Sequence, residues 1–81
     1  MSVNETISVN AYFFRSGPTV KSFPKEIEYN NTRYTFNDGL QYHVGKGSRA
    51  IRLYDMTDGK TTYRLRQEND TWTLVAMAET A

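Results

Sequence analysis

The chain has 81 residues and a mass of 9.4 kDa, enough for one small domain and too little for two. An apolar content of 38%, with 14% aromatic, excludes a disordered polymer, while zero cysteines and a single histidine exclude disulfides, thiolate chemistry and Cys- or His-rich metal sites. Ten basic against nine acidic residues leave a net charge of +1, unlike the strongly basic domains that bind nucleic acid tightly.

Hydrophobic residues recur with period two nearly everywhere, and no long window carries a helical stripe. From Ile7 the alternation of Ile7, Val9, Ala11 and Phe13 with Ser8, Asn10, Tyr12 and Phe14 predicts a first strand, ended by Ser16-Gly17-Pro18. The longest apolar run, Ala11 to Phe14, is too short for a membrane span or a secretory leader, so a cytoplasmic protein without membrane contacts is expected. Phe23 to Tyr29 reads as a second strand, entered through Pro24. Asn30-Asn31 fits a type I′ hairpin loop that sets Ile27 opposite Tyr34 and Glu28 opposite Arg33.

Asn37-Asp38-Gly39 fits a three-residue loop with left-handed glycine, which pairs Phe36 with Leu40, Tyr34 with Tyr42 and Arg33 with His43. Glu28, Arg33 and His43 then form a polar row across a three-stranded meander. Gly45-Lys46-Gly47-Ser48 reads as a flexible connector. Beyond it, Thr57-Asp58-Gly59 as a three-residue loop pairs Leu53 with Tyr63 and Ile51 with Leu65. Asn69-Asp70 as a two-residue loop pairs Leu65 with Leu74 and Tyr63 with Ala76. The fold expected is all-β: a small antiparallel barrel or two-sheet sandwich of six or seven short strands, built from two three-stranded meanders. It forms a single domain over 1–81, with 1–6 and 79–81 frayed. Ile51, Leu53, Tyr63, Leu65, Trp72, Leu74 and Ala76 of the second meander would pack on Tyr29, Tyr34, Phe36, Leu40, Tyr42 and Val44 of the first.

Enzyme motifs are missing from this pattern. Lys46 is followed by glycine rather than Ser or Thr and no helix follows it, so the Gly39–Gly47 region is no phosphate-binding loop. Asp55-Met56-Thr57-Asp58-Gly59 lacks the ligand spacing of a calcium loop, and no serine sits in a Gly-x-Ser-x-Gly elbow. His43 falls on an exposed sheet face. The chain is therefore read as a non-enzymatic binding module without metal or cofactor. Three Asn-x-Thr sequons, at Asn4, Asn30 and Asn69, are read as coincidences favoured by turn-forming asparagine.

Charge is unevenly placed. Between Lys46 and Arg66 stand six basic residues against two acidic ones, a local excess of four. The register above sets Arg52 directly opposite Arg64, with Arg66 and Tyr54 on the same face, and such facing like charges destabilise a sheet unless an anion joins them. Lys46, Arg49, Arg52, Tyr54, Arg64 and Arg66 are thus the candidate surface for nucleic acid or an acidic protein. The alternative is a protein-protein or homodimer interface. Phe14, Val75 and Met77 fall opposite the apolar sets of the two terminal strands, which are apolar on both sides and are expected to pair with each other.

Overall fold

A computed structural model describes residues 2–46 and 49–79. Seven strands run β1 (Ser2–Arg15), β2 (Lys21–Tyr29), β3 (Thr32–Thr35), β4 (Asp38–Lys46), β5 (Arg49–Thr57), β6 (Thr61–Glu68) and β7 (Thr71–Glu79). They form one sheet in the order β3-β2-β1-β7-β6-β5-β4, every pairing antiparallel, curled so strongly that it makes a half-barrel. The terminal strands do pair, Ile7 with Trp72 and Glu5 with Leu74. β1 begins at Ser2, inside the segment expected to fray.

The two halves of the chain are not separate meanders. β3 and β4 are joined by only Phe36 and Asn37, yet they occupy opposite edges of the sheet. Successive N–H groups of an extended chain point to opposite sides. Phe36 N–H accordingly donates to Lys25 O at 2.8 Å, on one edge, and Asn37 N–H to Thr57 O at 2.9 Å, on the other. The expected hairpin at Asn37-Asp38-Gly39 therefore does not form, and with it go the pairs Phe36–Leu40, Tyr34–Tyr42 and Arg33–His43. His43 instead faces Arg52. Gly39 serves packing rather than a left-handed turn: a Cβ there would lie 2.3 Å from Met56 Sδ and 3.1 Å from Asp55 O. The expected connector between meanders joins a hairpin, since β4 pairs with β5 as far as Lys46 opposite Arg49.

A second correction concerns the turn between β5 and β6. The Asp58 carboxylate accepts the N–H groups of Thr61 at 2.8 Å and Lys60 at 2.9 Å, and Gly59 takes φ +97°. This longer turn sets Thr57 opposite Thr62, and Leu53 falls opposite Arg66 rather than Tyr63. An odd displacement reverses every face. Tyr54 and Met56 consequently point inward at 1% and 0% exposure, while Ile51 and Leu53 lie half-buried on the outer side.

Two turns fall where the spacing puts them. Asn30 and Asn31, at φ 55° and 60°, close β2 on β3 with Ile27 opposite Tyr34 and Glu28 opposite Arg33. Asn69-Asp70 joins β6 to β7 with Leu65 opposite Leu74, after which a bulge at Val75 moves Tyr63 from Ala76 to Met77. The three sequon asparagines all have positive φ: Asn4 (54°), Asn30 and Asn69 (56°). They mark a bulge and two turns, where asparagine tolerates the left-handed region.

Inside the curl, Ile27, Leu65, Leu74, Phe36 and Trp72 pack with Tyr54, Met56 and Tyr63. The Tyr54 hydroxyl is satisfied from two neighbouring strands, by Gln41 Nε2 at 2.8 Å and Gln67 Oε1 at 3.4 Å. Gln41 Nε2 also reaches Ser22 O at 3.3 Å, across the open side of the half-barrel. Arg15 ties the same opening: it lies over Phe23, 5.0 Å from the ring centroid, and pairs with Asp38.

Two outcomes test these assignments. Gly39→Ala should lower stability by about 1–3 kcal/mol in urea unfolding, the range for overfilling a packed core. The backbone N–H groups of Thr61 and Lys60 hold the Asp58 carboxyl below its ordinary value of 3.8, so its contribution is present above that value and lost as pH falls through the lowered one. Asp58→Ala should therefore melt lower than the native chain at neutral pH. The gap should close in acid, where protonation removes from the native chain what the substitution removed.

Candidate functional site

The structure disperses the arginine surface that the sequence suggested. Arg52 lies on the inner side of the sheet, beside His43 and Gln67, while Arg64 and Arg66 point outward. Tyr54 lies in the core between Phe23, at 6.2 Å between ring centroids, and Trp72, at 5.2 Å, with no face left for stacking a base. The side chains of Lys46 and Arg49 lie outside the described part of the structure. No facing pair of like charges exists at Arg52 and Arg64.

Arg64 has an internal partner. Its Nε and Nη2 donate to the two carboxylate oxygens of Asp55 at 2.8 and 2.9 Å, and this bond raises the guanidinium's already high pKa. Such a fork-to-fork pair occupies the groups that would otherwise bind a phosphate. Arg33 keeps a looser ion pair with Glu28 at 3.9 Å. Among the described residues no carboxylate pairs with Arg52 or Arg66. These two arginines are on opposite sides of the sheet, so one ligand on one face cannot use both.

The three apolar candidates are likewise separated. Phe14 is 69% exposed near the β1–β2 turn. Val75 is the half-buried residue of the β7 bulge. Met77 is turned by that bulge to face Tyr63 and packs against the core, correcting its expected outward position.

A different surface assembles on the outer side of β4 and β5. Leu40, Tyr42 and Val44 alternate along β4 and are 59%, 43% and 42% exposed. Their cross-strand neighbours include Leu53 opposite Tyr42 and Ile51 opposite Val44, both half-buried. The result is a continuous apolar strip along the last strand of the sheet. Arg66, opposite Leu53, borders it. Sequence pattern finds these residues and assigns them to the core, because an apolar alternation shows that one face is apolar without showing which way it points.

No protein-family model matches this chain, and no match was found among curated proteins or solved structures.

The Asp55–Arg64 pair can be weighed by a double-mutant cycle. With half of the Arg64 side chain exposed, Asp55→Ala and Arg64→Ala should show a coupling of about 0.5–1 kcal/mol in urea unfolding.

Proposed function

We propose that this chain is a non-enzymatic protein-interaction module that uses the outer face of β4 and β5 as its contact surface. The observation that carries this reading is the apolar strip of Leu40, Tyr42, Val44, Leu53 and Ile51 on an edge strand. Single exposed apolar residues are ordinary on small proteins, but a contiguous strip along an edge strand is a feature of surfaces that another protein covers. An aromatic ring at its centre and an arginine at its margin suit an interface whose core is apolar and whose rim is polar. The anionic-partner reading keeps less support, because Arg64 is held by Asp55 and Arg52 and Arg66 are on opposite faces.

An amide-resolved NMR titration with two probes separates these readings. Peptides selected from a random displayed library should carry alternating apolar residues and shift amides of β4 and β5. Leu40→Lys should weaken their binding at least ten-fold while the amide spectrum stays dispersed. Short mixed-sequence single-stranded RNA at low salt should produce no localised shifts. Shifts confined to Arg52 and its neighbours with RNA, together with peptides that leave β4 unmoved, would overturn the proposal.

A further inference from the structure

The two edges of this sheet are built differently. β3 is four residues long and polar, Thr32-Arg33-Tyr34-Thr35, which is one of the ways sheets avoid pairing with another chain. β4 has nine residues, and between Leu40 and Val44 it contains no proline, lysine or bulge to blunt it. Among the described residues, side-chain ties to it from across the open side reach its first half, from Arg15 to Asp38 and Gly39 and from Gln41 to Ser22.

Its sequence is also close to a palindrome. Asp38-Gly39-Leu40-Gln41-Tyr42-His43-Val44-Gly45-Lys46, read against itself in the antiparallel direction about Tyr42, sets Leu40 against Val44, Gln41 against His43, Gly39 against Gly45 and Asp38 against Lys46. Apolar residues meet apolar ones, while the Asp38 carboxylate stays with Arg15 of its own copy. Facing residues of paired strands share a face, so only dyads centred on a residue keep the outer strip continuous. Centring on Gln41 puts Asp38 against Val44, and centring on His43 puts Leu40 against Lys46. Tyr42 is the centre that sets the apolar residues of the strip against each other.

From this we infer that the occupant of the β4 edge is a second copy of the chain, joined edge to edge about a two-fold axis through Tyr42. The inference rests on the protein-interaction reading above and names its partner. Each copy adds one strand edge and one apolar strip, so the two half-barrels share a continuous sheet whose outer strips run into each other. A contact of this kind is isologous and closes after two copies, which stops edge-to-edge growth because the other edge is β3. Its area falls at the small end of specific interfaces, below about 1,200 Å², so association is weak and concentration-dependent.

Sedimentation equilibrium from about 10 µM to about 1 mM should show the mass rising from 9.4 kDa towards its double. Tyr42→Glu and Tyr42→Lys should each remain monomeric, since each sets like charges face to face, and mixing the two should restore the dimer. That rescue separates loss of the interface from loss of the fold. Because the chain has no cysteine, Tyr42→Cys should form a covalent dimer on mild oxidation, as facing Cα atoms in paired strands lie about 4.5–5.5 Å apart. Phe14→Cys, exposed but away from the edge, should not. A native chain that stays monomeric throughout, or a Phe14→Cys that crosslinks as readily as Tyr42→Cys, overturns the dimer. If selected peptides still shift β4 and β5 in that event, the self-pairing alone has failed; if they do not, the wider reading has failed with it.

Discussion

Two adjacent amides decide the shape of this molecule. Phe36 and Asn37 donate their hydrogens in opposite directions, one to β2 and one to β5, and these strands are far apart in the order of the sheet. A chain that bonds to both ends of the sheet within two residues brings those ends together, so the sheet must curl. The curl creates an inside large enough for Tyr54, Met56, Tyr63 and Trp72, side chains that a flat sheet would leave half wet. Gly39 then allows β4 to run close over Met56, where any side chain would intrude. Outside the curl, the same crossing leaves β4 at the end of the sheet with its apolar side outward.

Closure at the open side is made by polar groups that are each satisfied. The Tyr54 hydroxyl, deep in the core, meets Gln41 and Gln67, and Gln41 goes on to Ser22. Among the described residues no buried side-chain nitrogen or oxygen lacks a hydrogen bond. Arg15 adds a cation over the Phe23 ring and an ion pair to Asp38, fixing the end of β1 to the start of β4. These ties hold the opening at its base, so the free length of β4 lies above them.

How much of this was legible depended on whether a turn's chemistry is local. Asn30-Asn31 carries its whole instruction in two residues that both accept positive φ, and its register followed correctly. Asn37-Asp38-Gly39 contains the same residue types, but its glycine answers to a methionine seventeen positions later in sequence, which no local rule detects. Asp58 binds the N–H groups of both Lys60 and Thr61, and that added turn length reverses the faces of β5 relative to β6. The candidate surface was lost through this reversal: Tyr54 went from outside to core, and Arg64 from facing Arg52 to facing Asp55. Core residues that depended on the Asn69-Asp70 turn, Leu65 and Leu74, were read correctly, whereas Leu40, Tyr42 and Val44 were placed on the wrong side.

The pairing of β1 with β7 has a bearing on how the domain is made. β1 is a central strand with β2 on one side and β7 on the other, and β7 is the last of the seven to leave a ribosome. Until then Ile7 has no Trp72 against it, and β6 presents a bare edge where β7 will lie. Vectorial synthesis can close the hairpins of neighbouring strands early, but the curled sheet as a whole waits for the nine residues of β7. A contact so distant in sequence makes folding slow relative to local hairpins, and a nascent chain of this kind carries two temporarily open edges in addition to the permanent ones at β3 and β4.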